Sequence, residues 1–215
     1  MNAFLAADSN LDPSVVFSTR ALTDVGGERF NPRAWEPAVG VAGYQGIYKG
    51  VPSIWSGGMS YSPGYVSRFV LTDDFEVYLG FEWQTRPATN SYDFVLAARE
   101  ASTKTIYMTY ERTSSAFKFG CTKFTPPSTY TSLGSYNIDT LIGFLKLARV
   151  GNTITGYRST DGSTWTSVGS WDFDATANPM WLLIYTTNWT TNVTRWVSVT
   201  ELTLVKGTLG RVAGY

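Results

Sequence analysis

The amino-acid sequence predicts an all-β protein, and three observations carry that prediction. Aromatic residues make up 15% of the 215-residue chain and charged residues only 16%. With Thr and Ser abundant, this composition suits pleated, half-buried strands over helices. One stretch alternates strictly: Phe75, Val77, Leu79, Phe81 and Trp83 interleave with Glu76, Tyr78, Gly80 and Glu82, so the large apolar groups share one face. Short strand-like runs then recur between turn residues, the pattern of a sandwich or barrel. The length fits one β domain of that kind.

Taken in chain order, residues 1–65 are irregular. Prolines at 13, 32, 37, 52 and 63 and the pairs Gly26-Gly27 and Gly57-Gly58 interrupt short apolar pieces such as Val15-Val16-Phe17. Residues 1–30 read as an N-terminal arm, either a disordered tail or an assembly segment that orders on a neighbour. Residues 31–215 form the folded domain. Asp73-Asp74 reads as a turn entering the alternating strand, and strand-like runs follow at 93–99, 104–111 and 116–123. Residues 144–150 form a strand, Gly151-Asn152 a two-residue turn that tolerates positive φ, and residues 153–159 the antiparallel return. Asp161-Gly162 makes a second tight turn before a third strand at 164–168. A helix over 141–150 is the competing reading of its apolar stripe; the Gly-Asn turn and the Thr-rich partner strand argue against it. Strands at 180–186 and 195–206 flank a polar loop, 187–194. Val197 and Val199 lie on one parity and Leu202 and Leu204 on the other, which predicts a β-bulge near Thr200-Glu201.

The run Leu145-Lys146-Leu147-Ala148-Arg149-Val150-Gly151-Asn152-Thr153-Ile154-Thr155-Gly156-Tyr157-Arg158-Ser159-Thr160-Asp161-Gly162-Ser163-Thr164-Trp165 combines an apolar strand, a Gly-Asn turn, an aromatic strand, an Asp-Gly turn and a Trp. It resembles the concanavalin A-like lectin/glucanase superfamily, as does the upstream strand from Asp74 to Leu79. The resemblance spans residues 65–206. It implies a two-sheet antiparallel jelly-roll β-sandwich, with glycan binding as one common activity. Two departures limit what carries over. The glucanase branch has a Glu-x-Asp-x-x-Glu strand, whereas no Asp stands between Glu76 and Glu82. Legume-type lectins hold calcium and manganese with a His and clustered Asp, and this chain has no His. The run from Ser159 to Trp165 is also similar to the Asp box of sialidase propellers, but it is one residue short and occurs once. It reads as a turn in which Asp161 caps the backbone, Gly162 takes positive φ and Trp165 packs back over the hairpin.

Several function classes are narrowed by composition. Without His, the usual general base near neutral pH and the commonest transition-metal ligand are missing. Cys121 is the single cysteine, so an intrachain disulfide or Cys-based zinc site is ruled out, and it reads as a buried filler. Basic and acidic residues balance at 17 each without a basic run, which argues against nucleic acid. The longest apolar cluster falls far short of the ~20 residues of a membrane span, so no membrane insertion is expected. Met1 to Asp8 lacks the basic start and apolar stretch of a secretory signal. Glu76 and Glu82 share a face, but six residues at ~3.3 Å each separate them by ~20 Å, beyond the ~5 to 9.5 Å that glycosidase pairs use. No catalytic residue, metal or cofactor is assigned.

The candidate ligand-binding residues are Trp171, Tyr185, Asn188, Trp189, Asn192 and Arg195, aromatic rings for the C–H faces of sugars with polar groups around them. Trp83 and Trp181 lie in strongly apolar strands and read as core. The acceptor-like triplets Asn188-Trp189-Thr190 and Asn192-Val193-Thr194 read as chance matches. The expected function is that of a non-catalytic bacteriophage virion protein, a head decoration or a tail or fibre component, released by lysis and carrying a lectin-like domain. Its expected partners are other virion proteins or copies of itself, and a cell-surface glycan. A stand-alone carbohydrate-binding module or lectin is one alternative, and a divergent glycoside hydrolase another.

Overall fold

The computed structural model describes residues 4–7, 35–37, 43–48, 51–56, 64–84, 92–100, 104–113, 115–173, 178–188 and 195–212. Every regular element among them is a β-strand: β1 (Phe4–Ala7), β2 (Trp35–Pro37), β3 (Gly43–Tyr48), β4 (Val51–Ser56), β5 (Gly64–Ser67), β6 (Phe69–Trp83), β7 (Tyr92–Glu100), β8 (Thr105–Arg112), β9 (Phe117–Thr125), β10 (Thr129–Asn137), β11 (Ile142–Val150), β12 (Thr153–Ser159), β13 (Thr166–Asp172), β14 (Met180–Asn188) and β15 (Arg195–Val212).

Two antiparallel sheets follow from the pairings. Sheet I runs β3-β4-β15-β6-β11-β12-β13, with β1 also on β15. Sheet II runs β2-β5-β14-β7-β8-β9-β10. A single bridge between Met180 and Leu71 links them. The sheets pack face to face as a jelly-roll sandwich. Phe81 of sheet I meets the rings of Phe94, Tyr110 and Phe119 of sheet II at 5.2, 4.9 and 6.4 Å. Val77, Leu79, Leu145, Leu147 and Ile154 supply the rest of one inner face, and Leu96, Ile106, Met108, Leu182 and Ile184 the other, all fully buried. At one side the edge strands β10 and β13 nearly close the sandwich. A Cβ on Gly134 would lie 1.9 Å from the Val168 carbonyl oxygen, so only glycine permits that approach.

The alternating run lies in β6, with its apolar parity buried as predicted. The stretch 141–150 is strand and not helix, since it pairs on both sides, with β6 and β12. The register of β15 shifts between Val199 and Glu201, at the parity switch. Two expectations need correction. Asp73-Asp74 lies inside β6, where Asp73 takes φ 57 and the opposing β15 shifts register, so the irregularity is a bulge and not an entering turn. The third meander strand begins at Thr166 and not Thr164, because residues 160–165 fold back as a loop. β10, with the polar sequence TYTSLGSYN, carries no apolar alternation that would announce it. Of the N-terminal arm, Phe4–Ala7 pairs with the chain's own β15, and the other residues of 1–30 lie outside the described ones.

Candidate functional site

Each sheet has one outer face, and the two differ in what occupies them. On sheet I the outer parity of β6 and β11 presents Glu76, Tyr78, Phe144 and Lys146. The loop after β12 returns across these residues. Asp161 Oδ1 accepts hydrogen bonds from the amides of Ser163 and Thr164 at 2.8 and 2.7 Å and from the Ser159 hydroxyl at 2.8 Å. Those bonds hold its carboxyl well below the usual range. Gly162 takes φ 73, and a Cβ there would lie 3.1 Å from the Phe144 ring. Trp165 then packs 5.4 Å from Tyr78 and 6.4 Å from Phe144. Lys146 sits beneath it, with Nζ 4.3 Å from the Trp165 ring, 4.8 Å from the Tyr157 ring and 2.9 Å from Glu76 Oε1. The Tyr78 hydroxyl donates to Glu201 at 2.5 Å. This face is satisfied by the chain itself.

The outer face of sheet II is built differently. Directly opposed residues on neighbouring antiparallel strands point to the same side. Four rows therefore cross β14, β7, β8, β9 and β10: Thr187-Asp93-Glu111-Lys118-Asn137, Tyr185-Val95-Thr109-Gly120-Ser135, Leu183-Ala97-Tyr107-Thr122-Ser132 and Trp181-Arg99-Thr105-Phe124-Tyr130. Small residues, Val95, Ala97, Gly120 and Thr122, form the floor, and Tyr185, Tyr107, Tyr130 and Trp181 stand around it. β5 crosses beside Tyr185 at Gly64, where a Cβ would lie 2.3 Å from the Tyr185 Cβ and 2.2 Å from a backbone carbonyl oxygen. From Asp93 to Arg99 this tyrosine face extends ~20 Å along β7.

Its rings are clustered yet reach the surface. Tyr107 and Tyr130 lie 6.3 Å apart, and Phe124 stands 4.7 Å from Tyr130. Tyr130 is 67% exposed, whereas Tyr107 and Tyr185 are half-buried. Burial pushes the Tyr185 hydroxyl well above its ordinary 10.0 and raises that of Tyr107 as well. Both phenols stay protonated at neutral pH and remain able to donate and accept. At the charged end, Thr187 donates to Asp93 at 2.9 Å and Lys118 pairs with Glu111 at 2.7 Å.

Of the two candidate ligand residues whose side chains are described, Tyr185 stands on this face and Trp171 does not. Trp171 belongs to β13 of sheet I, opposite Ile154. It packs 3.9 Å from Phe173 at the margin of the core, with Lys123 5.3 Å from its ring. Trp171 and Tyr185 therefore do not share a surface. Asn188 ends β14 and Arg195 begins β15, but their side chains, and all of Trp189 and Asn192, lie outside the described residues. Trp83 is core, as expected. Trp181 is not: Met180, Leu182 and Ile184 take the inner parity, which turns Trp181 outward beside Arg99. The sequence marks Tyr107 as an outward ring by one signal alone, its place on the polar parity of β8 with Thr109 and Glu111.

A second, charged cleft lies at the end of sheet I, lined by Asp73, Asp74, Arg149, Asn152 and Lys206. Asp74 accepts from the Gly151 amide at 2.7 Å and pairs with Lys206 at 3.3 Å, so the cleft braces the Gly151 turn against β6. Among the described residues no group of three or more His, Cys, Asp or Glu is placed to hold a metal ion.

No family model and no curated protein matches the chain. Solved structures do match. A GH43 protein, BlXynB of Bacillus licheniformis, superposes with a TM-score of 0.58 at 12% identity over 73% of this chain. This chain spans only 33% of that protein's length. The B. licheniformis β-glucanase gives 0.56 at 12% identity, covering 83% of this chain and 94% of its own. The CBM2 module of the evolved Dit of Lactobacillus casei BL23 phage J-1 gives 0.53 at 8% identity, covering 84% and 91%. This chain has the concanavalin A-like jelly-roll fold. At such identities the likeness concerns the fold alone, which hosts enzymes and non-catalytic binding modules alike.

Proposed function

We propose that the chain is a non-catalytic, glycan-contacting module of a bacteriophage virion, working through the tyrosine face of sheet II. The observation that carries the glycan reading is the clustering of Tyr107, Tyr130 and Tyr185 over a small-residue floor on a sheet face with a polar row, Thr187 to Asn137, at one end. Aromatic rings with polar handles suit a ligand that is apolar on its C–H faces and hydroxylated at its edges. The virion part is supported by the shared fold of the phage Dit module.

A glycan array tests the binding reading. Wild-type protein is expected to capture at least one glycan, and Tyr107→Ala and Tyr185→Ala each to weaken that capture by roughly 5- to 10-fold. Equal capture by both variants contradicts it. Antibody labelling of purified phage particles tests the virion reading, and a chain absent from the particles contradicts that part.

A glycoside hydrolase is the second reading, favoured by one observation. Asp93 and Glu111 lie directly opposite each other on this face, with Cβ atoms ~4.5–5.5 Å apart as in any cross-strand pair. Both carboxylates are already engaged, by Thr187 and by Lys118. Hydrolysis of a bound polysaccharide that Glu111→Gln abolishes is the result that selects this reading.

A further inference from the structure

Arg99 departs from the pattern of charged groups on the tyrosine face. Glu111 is neutralised by Lys118 at 2.7 Å, and Asp93 is held by Thr187 at 2.9 Å. Arg99 is half-buried between Trp181 on β14 and Thr105 on β8. Its guanidinium makes no hydrogen bond or ion pair among the described residues. Its charge does reach the face, since it acts to lower the hydroxyl pKa of both Tyr107 and Tyr185. A guanidinium offers five donors in a planar fork that matches a carboxylate or phosphate. Partial burial strengthens such a contact, because water screens it less.

We propose that Arg99 receives an anionic substituent of the bound glycan, so that the ligand is an acidic polysaccharide carrying carboxylates or phosphodiesters. The inference rests on the glycan reading above and adds the ligand's charge and orientation. The anionic group lies at the Arg99 end, flanked by Trp181 and the tyrosines. The rest of the chain runs toward the row of Thr187, Asp93, Glu111 and Lys118, ~20 Å away along β7, where Lys118 offsets the charge of Glu111.

Native affinity electrophoresis tests this with three embedded polymers: polygalacturonate for carboxylates, a wall teichoic acid for phosphodiesters and barley β-glucan as the neutral case. Wild-type protein is expected to be retarded by at least one acidic polymer, less so as salt rises. Arg99→Gln is expected to weaken that retardation about tenfold in apparent Kd, the size of a charge-assisted contact, with Arg99→Lys between the two. Which acidic polymer retards identifies the anion. Near-ultraviolet circular dichroism of the variants checks that the fold is intact. Acidic retardation unchanged in Arg99→Gln overturns the proposal. Retardation by β-glucan alone, lost in Tyr107→Ala, also overturns it but leaves the glycan reading standing. No retardation of wild type by any polymer overturns the proposal, and the glycan array decides the glycan reading separately.

Discussion

At the scale of single residues, environment decides what each titratable group does. The Asp161 carboxyl is depressed because two backbone amides and the Ser159 hydroxyl donate to it in the folded state only. Its stabilising contribution is therefore complete above the unfolded value near 3.8 and fades as pH falls through the depressed folded value. Urea unfolding of Asp161→Ala is expected to show lower stability than wild type at pH 7 and a gap that narrows below pH ~4. A gap that is constant with pH contradicts that role. Cys121 illustrates the opposite case. It is fully buried, and burial pushes its thiol up to about 12. A thiol reagent is expected to label it only after denaturation, since the thiolate is the reactive form; rapid labelling of the native protein contradicts this. Both roles were legible in the sequence, because an Asp-Gly turn and a lone cysteine in an apolar run carry local signals. The tyrosine face was legible only in part. Tyr185 is readable as an aromatic beside the polar stretch 187–194. Tyr107 and Tyr130 meet it through strand order and register, which pairing across five strands decides and local pattern does not contain.

At the scale of elements, the loop at residues 160–165 behaves as a latch. Trp165 closes over Lys146, Tyr78 and Phe144, so its removal exposes a cation and two rings at once. Trp165→Ala is expected to cost ~1–3 kcal/mol by chemical denaturation, as loss of a packed aromatic anchor. Glycan capture should survive, because this latch lies on the other sheet. The seam between β10 and β13 gives a second prediction. A methyl at Gly134 collides with the Val168 backbone carbonyl, which no rotamer change relieves. Gly134→Ala is expected to lower stability by ~1–3 kcal/mol, read as a fall in the denaturation midpoint; an unchanged midpoint contradicts the closeness of that seam. The strands that alternate cleanly, such as β6, were readable from sequence. β10 was not, because an edge strand with little core contact has no apolar face to write into its sequence. Trp181 misled for the converse reason: β14 is apolar on both parities, and composition alone cannot tell an inward Leu182 from an outward Trp181.

At the scale of the whole molecule, the two outer faces of the sandwich are built differently. Sheet I is sealed by its own loop and bulged at Asp73-Asp74, whereas sheet II presents rings and a free guanidinium over a floor of small residues. That division is the central claim, and a bound ligand locates itself. Amide chemical-shift mapping by two-dimensional NMR, with an oligosaccharide captured on the array, reads it directly. The account predicts that the perturbed amides cluster at Val95, Ala97, Tyr107, Thr109 and Tyr185. Perturbation centred instead on Tyr78, Lys146, Tyr157 and Trp165 would contradict it.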